Sequence, residues 1–424
     1  MINHIYNIYR QHPEICIDTR QVSKGCIFFA LKGPNFNANE FAIDALNNGA
    51  AYAIVDQEKY VLDERFILVH DSLKSLQELA NFHRKKLSCP IIGITGTNGK
   101  TTSKELCHIV LNQKYKVTAT KGNLNNHIGV PLSILSISTD TEIAIIEMGA
   151  NHIGEIDFLC SLTEPTHGVI TNIGKAHLEG FGSVEGVIKT KTELYKFLSK
   201  KDAPIFIKDN QQILIDKLPL NCPAISYGQL ESSSYKIRSK GAQPFVKVDV
   251  EGTLIDSKLI GEYNFDNIAL CIAMGLEFGI SIKQIKEAIE DYIPTNNRSQ
   301  LIKTNTNTIL LDAYNANPMS IEKAIQNMVQ IEQDSKVMIL GDMYELGEEA
   351  EKEHINIINN CLNSGVQKIY LVGELFNKFN ASAFSSFKTT AELIIELKKY
   401  PIKNAFVLIK GSRGMKLENV VEYL

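Results

Sequence analysis

The sequence has no two cysteines at a C-x-x-C spacing, no large excess of either charge, and no apolar run long enough to span a bilayer. Each absence closes off a class of function. The eight cysteines (Cys16, Cys26, Cys89, Cys107, Cys160, Cys222, Cys271 and Cys361) read as reduced, mostly buried thiols in a reducing compartment, not as a zinc or redox motif. The chain carries 44 basic and 48 acidic residues, a formal charge of −4, so the basic footprint of a nucleic-acid binder is missing. A bilayer span needs roughly 20 consecutive apolar residues, and the N-terminal MINHIYNIYRQHPE has no apolar centre of the signal-peptide kind. The expectation is a cytoplasmic protein that works on small molecules, with neither nucleic acid nor membrane as partner. There is no internal repeat and no low-complexity tract.

What remains is ordinary globular composition, 44% hydrophobic and 22% charged over 424 residues. Domains of roughly 100–200 residues would give two to four. Residues 1–84 hold the short apolar runs IFFALKG (27–33) and AAYAIVD (50–56), which read as strands, with a helical stretch around 40–48 between them. Residues 85–293 open with Cys89-Pro90. Their strand candidates are IIGIT (91–95), YKVTAT (115–120), EIAIIEMG (142–149) and HGVITNIG (167–174), alternating with helix patterns such as 100–112. That alternation predicts a mostly parallel sheet covered on both faces. After about residue 200 the runs PIFIKD, AISYG, KIRSKG and FVKVDVEG are short and irregular, and suggest an antiparallel annex. A helix of small residues follows near 264–278. Tyr292-Ile293-Pro294 marks a boundary. Residues 294–424 alternate again through TILLDAY, KVMILGD, KIYLVG and AFVLIKG, the pattern of a smaller doubly wound domain. The fold class is α/β in three domains.

IIGITGTNGKTTSKEL runs from strand through a glycine loop into a helix. Such a loop points backbone N–H groups at an anion, and the helix adds the positive end of its dipole. Lys100 can reach terminal phosphates and Thr101 can offer a hydroxyl to magnesium. The match to G-x-x-x-x-G-K-[ST] is incomplete, since Ile94 stands where the first glycine belongs. By itself the loop says only that a nucleoside triphosphate binds. Glu147 closes a buried strand candidate at the sheet edge where open α/β folds bind ligands, and suits magnesium. His177 follows another strand end. Lys189 and Lys191 fall on a helix pattern, where solvated lysines are the ordinary reading.

Taken together, TGTNGKTT, GNLNNHIGVP, EMGANHIGEI, NIGKAHLEGFGS and KTKTE closely resemble the Mur ligases, ATP-dependent amide-forming enzymes of peptidoglycan precursor synthesis. LLDAYNANPMS, LGDMYELGEEAEKEH and IKGSRGMKLENVV resemble the branch that adds D-alanyl-D-alanine to UDP-N-acetylmuramoyl-tripeptide. IDTRQVSKGCIFFALKG resembles the uridine-nucleotide domain that this branch shares with the branch adding a single amino acid. The likeness implies a small N-terminal α/β uridine-nucleotide domain, a central P-loop-like domain, and a C-terminal Rossmann-like domain that closes on ATP and binds the amine. It implies a monomer using ATP and Mg2+. Position by position, it puts Thr19 and Arg20 near the uridine diphosphate and Asn125 and Asn126 beside the bound acid substrate. Thr97, Asn98, Gly99, Lys100, Thr101 and Thr102 match the phosphate loop, and Asn264 and Asn267 the adenine side. Arg298, Asp312, Tyr314 and Asn317 match the part of the third domain that closes on ATP. Thr101, Glu147 and His177 match magnesium contacts, and Lys191 the lysine carbamylated in the family, so Lys100, His177 and Lys191 form the catalytic set. Ser412 and Arg413 match the amine side.

The chain departs from the family pattern at Asn37-Ala38-Asn39, where Asp-Gly-His is common, at Tyr263 for His, and at His127 for Asp. Arg298 follows Asn-Asn and not glycine. Two other readings stay open. One is a ligase of the same class with a different amine, of the kind that adds a single amino acid or extends folate with glutamate. The other is an ATP-binding protein without ligase activity.

Overall fold

The computed structural model describes residues 1–380 and 383–424. Among these described residues the strands form three main sheets and a two-stranded ribbon. The first sheet is wholly parallel, in the order Ile15–Cys16, Ile27–Phe29, Tyr52–Val55, Phe66–Leu68. The third has six strands, in the order Gln300–Lys303, Thr308–Asp312, Phe406–Lys410, Lys336–Gly341, Lys368–Val372, Ser385–Phe387. Only Gln300–Lys303 runs antiparallel to its neighbour. Hydrophobic clusters cover both faces of this sheet, as a parallel sheet requires.

The central sheet has nine strands and positions the site. From one edge it runs Thr253–Ile260, Phe245–Val250, Tyr235–Ala242, Ala224–Gly228, Ile205–Lys208, His167–Ile170, Ile91–Thr95, Ile143–Glu147 and Val117–Ala119. Ile91–Thr95 and Ile143–Glu147 are buried at every residue, which is why they read as continuous apolar runs without alternation. The expected antiparallel annex is corrected in part. Ile205–Lys208 and Ala224–Gly228 extend the parallel sheet, as does the start of Tyr235–Ala242. Antiparallel pairing in this sheet is confined to Tyr235–Ala242, Phe245–Val250 and Thr253–Ile260. The physical difference lies in burial. Ile205, Phe206 and Ile207 are all buried, whereas in Phe245–Val250 the buried Val246, Val248 and Val250 alternate with more exposed neighbours, the mark of a half-covered antiparallel strand.

The helix Ser72–Arg84 joins the first and central sheets into one core. Leu76 and Leu79 share a cluster with Ile27 and Phe29 on one side and with Ile146 and Leu159 on the other. Polar bonds fix it: Arg84 Nε donates to Thr163 O at 2.7 Å and Asn81 Nδ2 to Ser161 O at 2.9 Å. All eight cysteines are unpaired, and all but Cys222 are buried, matching the sequence reading. Among the described residues no helix is long and apolar enough to cross a membrane.

Candidate active site

Strands Ile91–Thr95, Ile143–Glu147 and His167–Ile170 run parallel, so they end at one edge of the sheet. The loops that leave them carry TGTNGKT, EMGANH and TNIGKAH. Two glycines of the first loop are dictated by space as well as by backbone. Gly96 has φ +140° and a Cβ there would sit 2.0 Å from Thr171 Oγ1; Gly99 has φ +80° and its Cβ would meet Asn267 Oδ1 at 2.4 Å. Ile94, the missing glycine of the general pattern, is a fully buried strand residue here. The strand simply continues through that position.

The loop is held from behind. Asn98 N–H donates to Asn172 Oδ1 at 3.0 Å, and Asn98 O accepts from Thr171 Oγ1 at 2.6 Å and Asn172 Nδ2 at 2.9 Å. Lys100, at the first turn of the helix Lys100–Leu111, folds its ammonium over the loop, donating to Gly96 O at 2.7 Å and Thr97 O at 2.9 Å. Burial pulls this ammonium down from 10.5 to about 8, against the opposing pull of Glu147.

Glu147 is 1% exposed. Its carboxylate accepts from Thr101 Oγ1 at 2.9 Å and Asn125 Nδ2 at 2.7 Å, and Lys104 Nζ lies 3.8 Å away. Lys191 is 2% exposed on the helix Val184–Lys191, behind the cleft wall, with Nζ 3.4 Å from Ala150 O and 5.3 Å from the Phe181 ring centre. Desolvation, reinforced by Lys100, holds its amine well below the usual lysine range. His177 takes a left-handed backbone, φ +51°, and its Nδ1 contacts the carboxylate of Glu345 from the third sheet's unit. Among the described residues no three His, Cys, Asp or Glu side chains converge as a ready-made metal set.

A cleft of about 590 Å³ opens over these groups, walled by the central and third units. Asn317 N-caps the helix Pro318–Gln330 and donates through Nδ2 to Asn98 Oδ1 at 2.7 Å, tying the third unit to the phosphate loop. Asn267 donates to Asn264 Oδ1 at 2.9 Å, and Asn264 donates to Ile260 O at 2.8 Å. Arg298 lies 3.8 Å over the Tyr314 ring, and Arg413 5.3 Å from the same ring centre. Asp312 accepts from Ser299 N–H at 3.2 Å and from Lys410 Nζ at 2.5 Å.

The cleft thus gathers Thr97 to Thr102, Asn125, Asn126, Glu147, His177, Asn264, Asn267, Arg298, Asp312, Tyr314 and Asn317. It does not gather the rest. Thr19 and Arg20 lie outside it, with Arg20 exposed and paired to Asp18 at 2.7 Å. Ser412 is buried and accepts from Tyr344 N–H at 3.1 Å. The departing loop is anchored internally: Asn39 is buried, donates to Asp56 Oδ1 at 2.8 Å and accepts from Asp56 N–H at 3.0 Å. Sequence reasoning missed Lys410, Asn172 and Ser299 as lining groups. Lys410 and Asn172 sit inside motifs read for other residues, so the signal was present and unassigned.

Residues 94–275 match the Mur ligase middle domain, and residues 297–413 match the Mur ligase, glutamate ligase domain. The UDP-N-acetylmuramoyl-tripeptide–D-alanyl-D-alanine ligase of Bacillus subtilis (strain 168) is 34% identical, over 97% of this chain and 92% of its own. Among solved structures, MurF from Acinetobacter baumannii superposes with a TM-score of 0.84 at 27% identity, covering 96% and 92% of the two chains. MurF ligase from Thermotoga maritima in complex with ADP gives 0.84 at 27% identity, covering 97% and 96%. With the phosphate loop, the acidic strand end and the third unit closing one cleft, the chain belongs to the Mur ligases, in the family of UDP-N-acetylmuramoyl-tripeptide–D-alanyl-D-alanine ligases.

Proposed function

We infer that this chain is an ATP-dependent ligase that joins D-alanyl-D-alanine to UDP-N-acetylmuramoyl-tripeptide in peptidoglycan precursor synthesis. The observation that carries the reading is the single cleft in which Lys100 and Glu147 of the central unit face Arg298, Tyr314 and Asn317 of the third. Three substrates must meet in such a place, and holding them there supplies much of the rate.

A carboxylate is a poor acyl donor until it is phosphorylated, and it repels the γ-phosphate it must attack. Loop N–H groups and the Lys100 ammonium offset that repulsion. Attack by a carboxylate oxygen of the tripeptide on the γ-phosphorus releases ADP and leaves an acyl phosphate. The free amine of the dipeptide then adds to the acyl carbon, loses a proton, and expels phosphate to leave an amide. The oxygen-rich donors Glu147 and Thr101 suit a hard cation. With His177 and a carbamylated Lys191 they would hold magnesium, which supplies further charge neutralisation between the two anions. Burial supports the carbamate: a neutral amine is the form that adds to carbon dioxide, and Lys191 is held towards neutrality.

In this reading residues 1–84 hold the uridine nucleotide through Thr19 and Arg20, residues 85–293 hold ATP and the acid, and residues 294–424 close on ATP. Asn125 and Asn126 face the acid substrate and Arg413 the amine, with Ser412 supporting the loop at Tyr344 from behind. The enzyme works as a cytoplasmic monomer. The test is phosphate release from ATP with UDP-N-acetylmuramoyl-tripeptide and a panel of amines. Turnover with D-alanyl-D-alanine is expected; turnover with a free diamino acid but not with the dipeptide would sink the assignment.

A further inference from the structure

The third unit touches the central unit at a second point, remote in sequence from Asn317. The loop after the strand Lys336–Gly341 brings Glu345 onto His177, and that imidazole is the only side-chain partner of Glu345 among the described residues. Glu345 has φ +62° and His177 φ +51°. Residues other than glycine rarely hold this conformation, and keep it where the surroundings enforce it.

The enforcement on the Glu345 side is complete. The Asp342 carboxylate accepts from Leu375 N–H at 2.9 Å and Phe376 N–H at 2.8 Å. Met343 N–H donates to His354 Nε2 at 3.2 Å, which leaves Nδ1–H of that buried ring to donate to Ala350 O at 2.7 Å. Tyr344 N–H donates to Ser412 Oγ, and Glu345 O accepts from Glu179 N–H at 3.4 Å. A half-exposed carboxylate would not need such a frame for solubility alone. The frame fixes the backbone from which the carboxylate extends towards His177.

We propose that Glu345 is a positioning residue for the ligase reaction: supplied by the third unit, it holds His177 by Nδ1, leaving Nε2 as the nitrogen available to the cleft only when that unit is docked. This rests on the reading of His177 as a magnesium contact. A metal-binding histidine commonly gives its second nitrogen to a carboxylate, which sets ring orientation. Here that carboxylate comes from the other side of the cleft, so metal binding and closure are coupled.

The test titrates Mn2+ into the full chain saturated with a non-hydrolysable ATP analogue, following free Mn2+ by paramagnetic resonance, beside kcat and KM for the dipeptide. Glu345→Gln and Glu345→Ala should each weaken Mn2+ binding about tenfold and lower kcat with little change in KM. In a His177→Asn background Glu345→Gln should add no further loss. Lys175→Gln is the control, because Lys175 makes another charged contact between the same units, 2.8 Å to Glu353, without touching His177; it should bind Mn2+ as the parent does. Equal weakening in Lys175→Gln would reduce Glu345 to a generic closure contact and overturn the proposal. So would parental Mn2+ binding in the Glu345 variants while His177→Asn weakens it. Parental binding in His177→Asn would instead overturn the magnesium reading, and the proposal with it.

Discussion

Lys100 offers a quantitative test of the phosphate site. Its ammonium is pulled from 10.5 to about 8 by burial, so at pH 8 roughly half of the unliganded molecules carry a neutral amine, and at pH 9 roughly nine-tenths do. A triphosphate favours the charged form. Nucleotide binding should therefore take up about half a proton per site at pH 8, nearly one at pH 9, and almost none at pH 6.5. Above pH 8 affinity should fall towards tenfold per pH unit. The same depression sets the sign for stability. The folded chain binds fewer protons than the unfolded chain between about pH 8 and 10.5. The unliganded protein should therefore gain stability as pH rises through that window, by at most about 3 kcal/mol from this group. The assay is calorimetric titration of a non-hydrolysable ATP analogue in buffers of different ionisation heat. Identical heats at pH 9 would refute the argument. So would the same proton uptake in Lys100→Arg, whose guanidinium stays charged throughout.

Three further outcomes follow from named contacts. Lys191→Ala should abolish phosphate release and recover part of it with added short carboxylic acids; parental activity in the variant would remove Lys191 from the mechanism. Gly96→Ala forces a Cβ to 2.0 Å from Thr171 Oγ1 at φ +140°, so it should lose nucleotide binding, read by the thermal shift that ADP gives the parent. Glu193 accepts from Gly154 N–H and Asp157 N–H at 2.9 Å each, capping the helix Glu155–Thr163 beside the cleft. Glu193→Ala should therefore cost about 1–2 kcal/mol in denaturant unfolding, and an unchanged midpoint would show that water replaces the cap.

Much of the site was legible because its chemistry is local. The glycine loop, Lys100 and Thr101 lie within one short segment whose strand–loop–helix order is written in the apolar run and the glycines that follow it. The parallel strands were legible for the same reason, as buried strands read as unbroken apolar runs. Ile205–Lys208 was misjudged because it is a short run followed by irregular segments, and nothing local to it says whether its neighbours pair parallel or antiparallel. Lys410 was passed over because its meaning depends on Asp312, ninety-eight residues away in the chain.

By itself, then, the sequence determined the α/β class, the phosphate loop and, through its ordered motifs, the ligase family. Periodicity and glycine placement are properties of neighbouring residues, so they survive without coordinates. Only the tertiary structure decided which motifs share a space. It put Asn317 on Asn98 and Glu345 on His177, enclosed Lys191 until its charge became costly, and left Arg20 at the surface with Asp18. Burial and cross-unit distance set those outcomes, and both depend on how the sheets pack, which no local pattern encodes.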